Sequence, residues 1–131
     1  MTWQRAPVAA ALVTILAAVD DSVPAFAVPP DTFNPPAYIV GYPRTVNYRT
    51  PQFGVDEAQL PLAVACGVAE VDRVDDLLRR AYDALSAATA TDPTLGGTVL
   101  LVDPGPQDNW RLLKVAGVDV LAADLLLRVL M

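Results

Sequence analysis

The sequence predicts an α+β domain: one mostly antiparallel sheet, two helices packed on one face of it, and an extended β-hairpin arm. Three observations carry that prediction. Two segments have helical apolar periodicity, at residues 3–20 and 73–89. Three stretches rich in β-branched or continuous apolar residues, at 37–41, 59–69 and 98–102, read as strands. The strands come in runs between the helices and do not alternate with them one for one, which favours α+β over a parallel α/β sheet.

The chain has 131 residues, about one domain, and we treat 1–131 as a single unit. Apolar residues make up 53% and charged residues 18%, a globular composition with an apolar excess that suits surface covered by partner subunits. The net charge is −6, which argues against phosphate-neutralising nucleic-acid binding. There is no histidine, so no Ser-His-Asp or Cys-His arrangement exists and the commonest transition-metal ligand is missing. Cys66 stands alone in "LAVACGVA" and reads as a small core residue.

Residues 1–27, "MTWQRAPVAAALVTILAAVDDSVPAFA", have the outline of a secretory signal. Arg5 would be the charged start, 6–19 the apolar middle and Ala25-Phe26-Ala27 the cleavage site. Residues 6–19 are too few to cross a bilayer. Their large side chains, Val8, Leu12, Ile15, Leu16 and Val19, fall within about 100° of arc, opposite Ala10, Thr14 and Ala17. Asp20 and Asp21 interrupt the cleavage region. The sidedness favours a retained helix packed on a sheet.

Residues 22–36 hold five prolines and read as a fixed strap anchored by Phe26 and Phe33. "AYIVG" (37–41) is a short strand, and 42–58 alternates aromatic and polar residues as a long hairpin arm. "QLPLAVACGVA" (59–69) suits a central strand. Asp72 caps a second helix, in which Val74, Leu77, Leu78, Ala81 and Leu85 form an amphipathic stripe and Asp75 and Asp76 suit the first turn. "TDPTLGG" (91–97) is a turn, "TVLLV" (98–102) a strand, and "DPGPQDN" (103–109) a turn. Residues 118–131 are ambiguous. Leu and Ala favour helix, while Leu121, Ala123, Leu125, Leu127 and Val129 form one apolar strand face.

No catalytic, metal-binding or cofactor-binding constellation emerges. "LGG" (95–97) lacks phosphate-loop spacing, and the acidic pairs 20–21, 56–57 and 75–76 are neighbours that point apart. Tyr42, Arg44, Tyr48, Arg49 and Phe53 combine aromatic and arginine side chains as protein-interface anchors do. The same mixture can stack single-stranded nucleic acid, but two arginines in so acidic a chain make a poor footprint. An ordinary hairpin with snorkelling side chains is the bland alternative.

The order of these pieces resembles the tail terminator family of long-tailed (siphovirus-type) phages. The resemblance runs from the N-terminal amphipathic helix through a proline strap into "PPAYIVG", then "LPLAVACGV", "AYDALSAATATDPTLGGTV" and "WRLLKVAGVDVLAADLLLRVL". It implies a non-enzymatic virion protein of the tail neck, made in the host bacterial cytoplasm and needing no cofactor. It implies a homo-hexameric ring on the last ring of tail tube protein, ending tube polymerisation and presenting a surface to a head-completion protein. It also makes 118–131 a strand. Six copies at −6 each bring −36, and acids facing the bore would let double-stranded DNA pass without sticking. Asp20, Asp21, Asp56, Glu57, Asp103 and Asp108 are the expected bore-facing acids, and the 42–58 arm is expected to reach a neighbour. Another neck ring protein, a small exported binding protein with a cleaved signal, and an enzyme subunit completed by a partner are the competing readings.

Overall fold

A computed structural model describes residues 3–32, 34–49, 54–115 and 117–131. Phe33 and Phe53, expected as a strap anchor and an interface residue, lie outside them. The chain forms helix α1 (Arg5–Ala17), strands β1 (Ala25–Phe26), β2 (Ala37–Val40), β3 (Thr45–Asn47) and β4 (Glu57–Cys66), helix α2 (Val71–Thr91), and strands β5 (Leu101–Val115) and β6 (Val118–Leu130). The sheet runs β1-β2-β4-β6-β5, with β3 beside β4 in line with β2. All pairings are antiparallel except β1 with β2.

Of the side expected to pack inward, α1 buries Val8, Leu12 and Leu16, with Ala9, while Ile15 and Val19 are half-buried; Ala10, Thr14 and Ala17 are exposed as expected. α2 buries the whole stripe Val74, Leu77, Leu78, Ala81 and Leu85. Its first turn begins earlier than expected. Glu70 occupies the N-cap position without a side-chain cap bond, and Asp72 lies inside the first turn, where the helix dipole favours it. Asp75 and Asp76, expected in the first turn, lie beyond it, and Asp76 pairs with Arg80 at 3.0 Å. No helix among the described residues is long and apolar enough to cross a membrane.

The buried side chains of both helices belong to one core cluster with even positions of β4 (Leu60, Leu62, Val64, Cys66) and odd positions of β6 (Leu121, Ala123, Leu125, Leu127, Val129). Strict alternation on β6 thus outweighs its helix propensity, because β4 pairs along one side of it and β5 along the other. The opposite set of positions forms a smaller cluster of Ala37, Ile39, Ala65, Val120 and Ala122. Tyr38 donates its hydroxyl to the Leu77 carbonyl at 2.9 Å, tying β2 to α2, and burial pushes its phenol above the usual range. Burial likewise raises the Cys66 thiol to about 11, so it stays protonated at neutral pH.

Further local readings change. Of the strand expected over 98–102, only 101–102 is strand, as the start of β5. The strap contains a strand: Ala25 and Phe26 pair with Tyr38 and Ile39. Residues 103–109, expected as a turn, belong to a single fifteen-residue β5, with register shifts between Pro104 and Gln107 and between Asp108 and Arg111. The prolines and Gly105 are absorbed as bulges on an edge strand, where missing donors cost least. Gly105 is required by close approach: a Cβ there would lie 2.6 Å from the Leu126 carbonyl oxygen. Backbone cannot step aside, so Gly105→Ala is expected to cost about 1–3 kcal/mol in chemical denaturation.

Residues 50–53 of the long arm expected over 42–58 lie outside the described residues. Thr45, Val46 and Asn47 pair with Gln59, Ala58 and Glu57, so this hairpin lies in the plane of the sheet and supplies β4 with its outer partner.

Candidate functional site

The chemistry-bearing residues fall into three groups: a staple at the termini, the exposed hairpin, and the β5 edge. Asp56 makes the staple. It is 5% exposed, and its carboxylate accepts the Trp3 amide at 2.7 Å and the Arg49 amide at 3.0 Å. Its backbone exchanges hydrogen bonds with Met131, so one residue joins the two chain ends and the β3–β4 connection. Arg5 makes a second tie. Its guanidinium donates to the carbonyls of Gly41, Ala27 and Val40 at 3.1, 2.6 and 2.7 Å and stacks over Tyr42, 5.2 Å from the ring centre. These bonds clamp α1 to the strap and to the end of β2.

Of the expected interface residues, Tyr42 and Tyr48 are exposed, at 66% and 73%. Arg49 is exposed and has a left-handed backbone, φ 50°. Arg44, just before β3 and about one-third exposed at its side chain, is engaged in ion pairs. The register places Asp108 of β5 directly opposite Asp124 of β6, an arrangement of like charges that alone would be unfavourable. Arg44 bridges the two, 2.5 Å from Asp108 and 3.2 Å from Asp124. Asp124, 3% exposed, also receives Arg111 at 3.0 Å and the Asn109 side-chain amide at 3.4 Å. Sequence reading passed over Asp124. The available signal was one acid interrupting the apolar run "VLAADLLLRVL", which a two-sided strand can bury only with partners.

The expected bore-facing acids are not one set. Asp21 and Asp103 are exposed. Asp20 accepts the Ser22 hydroxyl and amide at 2.7 and 2.9 Å and lies 3.6 Å from Arg80. Glu57 pairs with Arg128 at 2.9 Å, and Asp108 with Arg44. Asp56 is enclosed by its two amides and presents no free charge to solvent.

Four carboxyls are held below the usual carboxylate range. The causes are the Trp3 and Arg49 amides at Asp56, the Ser22 hydroxyl at Asp20, the Thr94 hydroxyl and Gly96 amide at Asp92, and the Arg44 guanidinium at Asp108. Each favours the ionised form in the folded state. The stability this contributes is present above the unfolded-state values and lost as pH falls through the lowered ones. The melting temperature is therefore expected to hold above about pH 5 and to drop progressively below about pH 4, measured by calorimetry across a pH series.

The β5 edge carries Trp110, 41% exposed, and Leu112, 68% exposed. Leu112 and Leu113 border a shallow cleft of about 360 Å³ with Val68 and Val120, where Lys114 and Asp119 pair at 3.6 Å. A smaller apolar trough of about 190 Å³ lies beside Arg111, floored by Ala63, Ala65 and Ala122. No group of three or more Cys, Asp or Glu among the described residues is placed to hold a metal ion. No protein-family model matches this chain, and no curated protein matches it.

Proposed function

We propose that the chain is a ring-forming structural protein of a phage tail neck, of the tail terminator type. The observation that carries this reading is the pair of sheet edges left unpaired among the described residues. β5 lies at one end of the sheet, fifteen residues long, with Trp110 and Leu112 exposed. β1 and β3 lie at the other end, beside the exposed Tyr42 and Tyr48. Two different apolar-aromatic edges suit a head-to-tail contact that repeats and closes, the geometry of a ring. The order of elements, with a packed first helix and a strand over 118–130, agrees with what the resemblance to terminators implies.

In this reading six copies cap the tail tube, stop its growth and present their far surface to a head-completion protein. Double-stranded DNA passes through the bore. Of the six acids expected to face the bore, Asp21 and Asp103 are the exposed ones and would keep that passage non-adhesive, while Asp56 contributes structure. Light scattering and electron microscopy of the purified chain, alone and mixed with tail tube protein, test the reading. A closed ring of about six copies is expected. A chain that stays monomeric in both samples and leaves tube ends uncapped overturns it.

A further inference from the structure

The Asp124 cluster has no evident purpose in stabilising the core. A buried carboxylate on β6, an interior strand paired on both sides, carries a desolvation cost, and an apolar side chain would fill the same place at least as well. What the charge does is local. The second register shift of β5 spans Asp108 to Arg111, and each residue that bonds Asp124 from β5 borders that shift. Asn109, with φ 58°, donates its side-chain amide to one oxygen of Asp124. Arg111 donates to the other oxygen and to the Asn109 carbonyl at 2.8 Å, closing a loop around the bulge. Arg44 holds Asp108, the residue before the bulge, to the same carboxylate. Trp110 is the one residue between Asn109 and Arg111, so both of its neighbours are tied to Asp124.

We infer that Asp124 is a positioning residue for assembly: it fixes the β5 bulge so that Trp110 stands out from the sheet edge as the anchor received by a second copy of this chain. A bulge re-aims a side chain, and a buried ionic group can select one local geometry among several. A tryptophan held in one direction loses little freedom on docking, and tryptophan is among the side chains that dominate interface energies. The inference rests on the ring reading for its partner, while the clamp on Trp110 stands apart from it.

The test uses the full chain with Trp3→Phe, which leaves Trp110 as the sole tryptophan. Circular dichroism, acrylamide quenching of Trp110 and ring formation by light scattering are read for this parent and for Asp124→Asn. The expected result is unchanged secondary structure, altered quenching of Trp110, and self-association weakened by about tenfold or more, as loss of an aromatic anchor does. Quenching and association both equal to the parent overturn the inference. If Asp124→Asn does not fold, Arg111→Met is read in the same way, since it opens the loop around the bulge and leaves Arg44 on Asp124. Altered quenching in a parent that never forms rings upholds the clamp and overturns the ring; a ring-forming parent with an unaffected variant overturns the clamp alone.

Discussion

A chain beginning at Val28, as cleavage after Ala27 would leave it, is expected to show no cooperative thermal transition. The cut removes four side chains of α1 that are 0–1% exposed, Val8, Ala9, Leu12 and Leu16, together with Val23 of the strap. It removes β1, the outer partner of β2, and the Arg5 clamp on the Gly41, Ala27 and Val40 carbonyls. One such leucine truncated to alanine costs about 2–5 kcal/mol, and a domain of this size has about 5–15 kcal/mol in all. The full loss therefore exceeds what the remaining residues can supply. Leu12→Ala in the intact chain gives the graded version, an expected loss of about 3 kcal/mol in urea denaturation. A cooperative transition in the shortened chain would show that α1 is dispensable to the fold and return the signal-like outline of 1–27 to contention.

That outcome separates two features the sequence shows equally well. The signal-like outline depends on composition and on the small-x-small match at 25–27. The packing of α1 depends on which residues face inward, and the sidedness of Val8, Leu12 and Leu16 was legible from spacing alone. Arg5 was not legible. Its three acceptors come from residues 22 to 36 positions away, and a lone arginine near a chain start carries no local mark of them. The same holds for Asp56, whose partners are a residue near one chain end and a turn amide.

The strands divide in a similar way. The α2 stripe was readable because helical periodicity is a local signal and the helix is long. Residues 103–109 looked like a turn because Pro104, Gly105, Pro106, Asp108 and Asn109 are all turn formers. They form strand because β6 offers a ladder long enough to hold both halves of β5, and two register shifts take up the misfit. Tertiary pairing decided what local chemistry could not. Asp124 is the clearest case. Its meaning lies in Arg44 and Arg111, which are 80 positions before it and 13 positions before it, and which only the register of β3, β4, β6 and β5 brings together.

The β6 segment offers the sharpest contrast between the two conformations its sequence allows. Leu125→Ala and Leu127→Ala are both expected to cost about 3 kcal/mol, since each side chain is 0–1% exposed in the main core cluster. Leu126→Ala, half-buried and opposite Pro61 on the other face, is expected to cost about 1 kcal/mol. The pattern matters more than any one value. In a strand, positions 125 and 127 share a face and 126 opposes them. In a helix, 125 and 127 are turned by about 200° from each other and cannot both point into one core. Equal, large losses at 125 and 127 with a small loss at 126, read from urea denaturation midpoints, fit only the strand. A large loss at 125 with a small one at 127 would mean that Leu and Ala propensity had prevailed over pairing with β4 and β5, and the place of β6 between them would fall with it.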